Sequence, residues 1–237
     1  MTEVIGYRRA ALGTQPEYRY PPYVSSQKRA PTQPLVILPH TITEVTGAQF
    51  APGDISPNDY DLTGQHESEP LGERIIVTGR VLDENNRPIP HTLIEIWQAN
   101  SAGRYRHKHD EHRAPLDPNF TGFGRTFSDG EGYYRFLTIK PGAYPWGNHH
   151  NAWRPAHIHF SLFAPAFTTR LVTQMYFPGD PMLEFDPIFN STADERARNR
   201  LVSQFDWDTT TPQFALGYRF DIVLRGRETT PLDANHQ

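Results

Sequence analysis

The sequence predicts a mainly β fold: a β-sandwich with an extended N-terminal arm and one short helix. Three observations carry this. Short runs rich in β-branched and aromatic residues recur from Leu71 onward. Turn-forming residues separate them, with 17 Gly and 22 Pro in 237 residues. A single segment carries a helix-start signal.

Residues 1–70 form the arm. Prolines such as Pro16, Pro21, Pro22, Pro31, Pro34 and Pro39 exclude long regular elements. Tyr7, Tyr18, Tyr20, Tyr23 and the Val36-Ile37-Leu38 run argue against a purely disordered tail. The arm is expected to pack along its own domain or a neighbour, with a helical turn near Ile42–Val45.

Residues 71–237 form the sandwich. Strands are expected at Arg74–Leu82, His91–Gln98, Tyr133–Ile139, Ala156–Phe163, Leu171–Phe177 and Tyr218–Leu224. Asp83–Pro88 and Asp129–Gly132 are turns. The helix is expected over about Ala193–Phe205, its start fixed by a capping box of Thr192 and Glu195.

Composition narrows the function. The formal charge is −4 and the isoelectric point about 6.2, which gives no basic surface for nucleic acid or anionic membrane. Mean hydropathy is −0.64, and no apolar run reaches the length that spans a bilayer. The first residues lack the apolar stretch of a signal peptide, so a cytoplasmic location is expected. There is no cysteine, which removes disulfides, thiolate metal sites and cysteine nucleophiles. Eleven His and eleven Tyr leave nitrogen and oxygen donors for a metal.

His157-Ile158-His159 is the sharpest local signal. On a strand, residues two apart face the same way, so both imidazoles could grip one metal while Ile158 enters the core. Two unconnected strand histidines would give the same spacing. Pro155 restrains Arg154 just before them, and a cation there is either part of the site or an ordinary surface charge. Tyr105 sits among Arg104, Arg106 and Lys108, whose charges would favour its phenolate, although a solvated basic loop reads the same way. Pro141-Gly-Ala-Tyr144-Pro-Trp146 is a rigid turn presenting Tyr144 as a ligand or a buried plug. His107, His109 and His112 have spacing that suits zinc, in a stretch with no rigid frame.

Taken in order, Gly103-Arg-Tyr105-Arg-His-Lys, Pro141-Gly-Ala-Tyr144-Pro-Trp146, Trp153-Arg154-Pro-Ala-His157-Ile-His159 and Leu171-Val-Thr-Gln174-Met-Tyr resemble the intradiol ring-cleaving dioxygenases. Within that family the likeness is to the iron-bearing β-type chains of its protocatechuate-cleaving branch. It runs from about Pro22 to Arg225, with Leu116–Phe120 and Tyr218–Leu224 as further matches.

The resemblance implies one non-haem Fe(III), held by Tyr105, Tyr144, His157 and His159 and a solvent hydroxide. Tyr144 and His159 would be the axial pair. Phenolate oxygens suit a hard ferric ion, whereas two His and a carboxylate suit Fe(II). By the same resemblance, a catechol binds as a dianion and displaces Tyr144, which takes up a proton. Arg154 and Gln174 would be catalytic, Arg154 as the cation beside developing charge. Tyr23, Trp146 and Ile188 would contact substrate. Gly147 follows Trp146 at a position where the resemblance leads one to expect a larger polar residue. The expected partners are a catechol, O₂ and a homologous α-type chain in a hetero-oligomer. The expected reaction is conversion of protocatechuate to 3-carboxy-cis,cis-muconate in the β-ketoadipate pathway.

Two other classes share part of the pattern. Gly79–Asp83, Arg87–Pro90 and Asp129–Phe136 also occur in transthyretin-like binding sandwiches, which have no reason to keep the Tyr/Tyr/His/His set. A zinc hydrolase would instead use the His107 cluster. Related intradiol homodimers carry a helical N-terminal linker, which this Pro-rich arm does not resemble.

Overall fold

The computed structural model describes residues 10–36, 50–165 and 170–233. The turn expected near Ile42–Val45 lies outside them. Among the described residues no helix is long and apolar enough to cross a membrane.

Two sheets face each other. The first is built on β1 (Arg74–Leu82), which pairs antiparallel with β4 (Tyr133–Ile139). On its other side β1 runs parallel to β10 (Leu216–Arg219) and β11 (Ile222–Val223), and β10 pairs with β9 (Gln204–Phe205). The second sheet has the order β3-β2-β7-β8, from Phe123–Phe127, Leu93–Gln98, His157–Phe163 and Leu171–Tyr176. A short ribbon, β5 (Tyr144–Pro145) with β6 (Trp153–Arg154), stands apart.

The alternation of each strand decides what fills the gap between the sheets. Ile75 and Val77 of β1, Phe136 of β4, Ile94 and Ile96 of β2, and Ile158, Phe160 and Leu162 of β7 form one buried core. Burial of each such side chain contributes roughly 1.5–3 kcal/mol. Because Ile158 is committed to that core, His157 and His159 must leave the sheet on its outer face. Leu62 joins the same core, and Leu62 N bonds Leu137 O at 2.8 Å.

Four expectations are corrected. The helix is α3, Glu195–Asn199, not Ala193–Phe205. Its cap is Asp194, whose carboxylate accepts from Ala197 N at 2.8 Å, while Thr192 is bridged to Pro16 of the arm. Gln204–Phe205 is therefore free to form β9. Helix is also not confined to one place: α1 (Ser26–Arg29) and α2 (Pro187–Asn190) are further single turns. His91 has φ +55°, so its strand starts at Leu93. The last strand is broken at Phe220-Asp221, where the Asp221 carboxylate accepts from Arg80 N at 2.9 Å in place of a ladder bond. Gly79 lies opposite this break, and a Cβ there would collide with Phe220 O. Sequence reading also missed β3, which pairs with β2 from Leu93↔Phe127 to Trp97↔Phe123.

Candidate metal centre

The outer face of β7 is where the chemistry gathers. Register places His159 between Trp97 on β2 and Gln174 on β8, and His157 beside Tyr176. Trp97 stacks on His159 with ring centroids 4.8 Å apart. The two imidazoles are 4.9 Å apart.

Two loops bring the phenols to them. Tyr144 starts the ribbon, and its hydroxyl lies 3.4 Å from His157 Nε2. The Tyr105 loop is fixed by Asp110, whose carboxylate accepts from Tyr105 N at 2.6 Å. Gly103 (φ +77°) lets this loop press on the ribbon, since a Cβ would collide with Ala143 O. The two phenol rings meet edge to face at 5.4 Å. Tyr105, Tyr144 and His159 line a cleft of about 770 Å³, with His157 against Tyr144 at its base. Trp97, Trp146, Gly147 and the His107–His112 loop complete the lining.

The donor set fits a hard, highly charged cation. The Tyr105 hydroxyl is buried and makes no hydrogen bond, leaving an oxygen that needs a charge partner. His157 Nδ1 donates to Pro155 O at 2.7 Å, which puts the lone pair on Nε2, the nitrogen that the Tyr144 hydroxyl and Arg154 Nη1 both approach. Burial pushes the Tyr105 phenol well above its ordinary value, and the neighbouring Tyr144 adds to this. The loop cations do not offset it as the sequence suggests: Arg104 turns away to Asp110 O at 3.0 Å, and Arg106 and Lys108 are exposed. The His157 imidazole is held well below its ordinary value by burial, then by Arg154 and His159, so it stays neutral and able to bind metal.

Arg154 is buried behind the donors. Its Nη1 lies 3.1 Å from His157 Nε2, and Nη2 donates to Gln174 Oε1 at 2.7 Å and Tyr176 Oη at 2.9 Å. Asp186 completes the set, accepting from Nη2 at 2.8 Å. Burial alone would lower the guanidinium, but Asp186, Tyr176 and Tyr144 outweigh it and hold it well above its usual range.

Trp146 walls the cleft, with the Arg154 guanidinium 5.3 Å from its ring. Tyr23 and Ile188 are brought to the same corner but sit beneath Trp146; both are buried, and the Tyr23 and Trp146 rings are 5.2 Å apart. The second histidine group is dispersed: His107 and His109 are neighbours, while His112 packs on Trp153. Sequence reasoning missed Asp186 and Asp233, single acids with no local motif, and gave no role to Tyr176, the last residue of the Leu171-Val-Thr-Gln174-Met-Tyr run.

A family model described as "Dioxygenase" matches residues 45–226, and one described as "Protocatechuate 3,4-dioxygenase beta subunit N terminal" matches residues 7–41. A protocatechuate 3,4-dioxygenase beta chain of Burkholderia cepacia is 60% identical over 93% of this chain and 94% of its own length. The chain belongs to the intradiol ring-cleaving dioxygenase family.

Other members extend the range of this dioxygenase's likeness. The protocatechuate 3,4-dioxygenase alpha chain of Pseudomonas putida is 28% identical over 83% of this chain and 97% of its own. Among solved structures, the dioxygenase domain of a carbohydrate-binding fusion protein from Streptomyces sp. SirexAA-E superposes with a TM-score of 0.52 at 26% identity, covering 76% of this chain and 94% of that one. The dioxygenase family generally uses non-haem Fe(III), and a donor set of two phenols and two imidazoles suits that ion.

Proposed function

We propose that this chain is the iron-bearing β-type subunit of a protocatechuate 3,4-dioxygenase. With an α-type partner it opens protocatechuate between its two hydroxyl-bearing carbons. Both atoms of O₂ enter the product, 3-carboxy-cis,cis-muconate, a step of the β-ketoadipate route. The observation that carries this reading is the meeting of Tyr105, Tyr144, His157 and His159 around one cleft. The 60% identity to the Burkholderia cepacia beta chain supports the substrate, and likeness to both beta and alpha chains supports the hetero-oligomer.

Tyr105, Tyr144, His157 and His159 would hold the iron. Held by these four residues, a ferric ion would supply a Lewis acid that makes the catechol ring reactive towards O₂. Tyr144 also acts as a base. Its phenolate oxygen would accept a catechol hydroxyl proton as substrate binds. Arg154 keeps its proton in this setting, and it would hold a fixed positive charge beside the negative charge that develops on the substrate. Gln174 and Asp186 keep that guanidinium in place. Trp146, backed by Tyr23 and Ile188, walls the substrate side and keeps water from it.

The test is product identification. The iron-loaded complex of this chain with an α-type chain is given protocatechuate and ¹⁸O₂. The expected product is 3-carboxy-cis,cis-muconate carrying two labelled oxygens, or one where an intermediate exchanges with water. A product cleaved outside the two hydroxyl-bearing carbons, or no ring opening, would reject the reading.

A further inference from the structure

Among the described residues after the residue-226 end of the matched family segment, Asp233 reaches the site. The C-terminal segment is pinned there. Thr173 Oγ1 donates to Pro231 O at 2.7 Å, and Leu232 N donates to Gln15 Oε1 of the arm at 2.8 Å. Asp233 N donates to Val172 O at 2.7 Å. The Asp233 carboxylate is buried; its Oδ2 accepts from Gln174 Nε2 at 2.7 Å and lies 3.4 Å from His159 Nδ1.

We infer that Asp233 is a positioning residue that sets the tautomer and orientation of His159 and the orientation of the Gln174 amide. A neutral imidazole carries one N–H, and a buried carboxylate charge 3.4 Å from Nδ1 favours the proton on that nitrogen over a lone pair there, by electrostatics rather than a direct hydrogen bond. The lone pair is then left on Nε2, the nitrogen available to the cleft. The same carboxylate oxygen takes the NH₂ end of Gln174. That turns Oε1 to Arg154 and Tyr176. One charge thus orders His159 on one side and the Arg154 guanidinium on the other. Pro155 O does the same for His157, so the two imidazoles are oriented by different acceptors from different parts of the chain.

The inference rests on reading His159 as a metal ligand, and the experiment separates the two. Asp233→Asn, Asp233→Ala and His159→Ala are prepared in the complex with the α-type chain and loaded with iron. Iron retained per chain against a competing chelator is measured, alongside melting of the iron-free proteins. Asp233→Asn keeps the size of the side chain and one acceptor oxygen, which can still take the Gln174 amide, but removes the negative charge that faces His159 Nδ1. It is expected to melt like wild type yet hold iron about 10–100-fold more weakly, as is Asp233→Ala. Wild-type retention in Asp233→Asn, or a fall in melting with retention unchanged, overturns the positioning role. If His159→Ala then loses its iron, the metal site stands without it; if His159→Ala keeps its iron, both readings fall. Should Asp233→Ala not fold, Asp233→Asn alone decides.

Discussion

Arg154 and Asp186 form an ion pair sealed from solvent: Nη2 lies 2.8 Å from Oδ2, and the side chains are 1% and 0% exposed. A buried pair gains little over an apolar substitute, but removing one partner strands the other charge. Asp186 has a second duty, capping α2 through Ile188 N at 3.1 Å. Asp186→Ala is therefore expected to cost about 3–5 kcal/mol, read as a fall in denaturant midpoint. A loss under about 1 kcal/mol would show that Arg154 is neutralised otherwise.

Arg154→Ser separates the cation from the metal. It is expected to retain iron but turn over poorly, by roughly 10²-fold or more, the scale of losing a preorganised electrostatic donor. Steady-state kinetics with iron analysis on one preparation is the check. A wild-type kcat would remove Arg154 from the reaction.

Tyr144→Phe removes the oxygen proposed to serve as both ligand and base. Tyr105, His157 and His159 remain to hold iron. Loss of the proton acceptor is expected to slow substrate binding and turnover by about 10²–10⁴-fold. Stopped-flow mixing with protocatechuate reads it, and unchanged binding kinetics would contradict the role.

Gly147 offers a gain of function. It lines the cleft, and a Cβ there meets nothing within 4 Å. Gly147→Lys would place a cation at the cleft edge, with the strength of an exposed pair, about 0.2–1 kcal/mol. KM for protocatechuate is expected to fall by up to about fivefold, with that for catechol, which lacks the carboxylate, unchanged. An equal change for both would show that the gain is not electrostatic.

His149 gives a pH signature. Burial lowers its pKa from 6.5, although the Asp186 charge opposes the shift. Below about 6.5 the unfolded chain takes a proton that the folded chain resists. This contribution to stability is thus complete above that pH and is lost as pH falls through it. His149→Gln should melt with a shallower decline than wild type between about pH 7 and 5. Parallel declines would assign the acid sensitivity elsewhere.

The legible part of the site was the part with local periodicity. Alternation on β7 sufficed to send Ile158 inward and His157 with His159 outward, and the Tyr105 and Tyr144 loops carried motifs. The rest depended on contacts distant in sequence. Asp186 meets Arg154 across 32 residues, and Asp233 meets Gln174 across 59. A lone acid in a loop carries no pattern that announces its partner. The fold was misread where two local signals competed. Thr192 offered a capping box, but its backbone bridges to Pro16 of the arm, and Asp194 caps a shorter helix instead. β3 was missed because Phe-Gly-Arg-Thr-Phe has a glycine at its second position, where the chain packs tightly on Leu62.

The function proposed for this chain stands or falls on Tyr105, Tyr144, His157 and His159 holding ferric iron where a catechol can reach it. The visible absorption spectrum of the iron-loaded complex, before and after anaerobic addition of protocatechuate, tests this without relying on turnover. A tyrosinate-to-Fe(III) charge-transfer band is expected, and it should shift when the catechol binds. A colourless protein that takes up no iron on ferric reconstitution with its partner would mean that the four ligand assignments fall together.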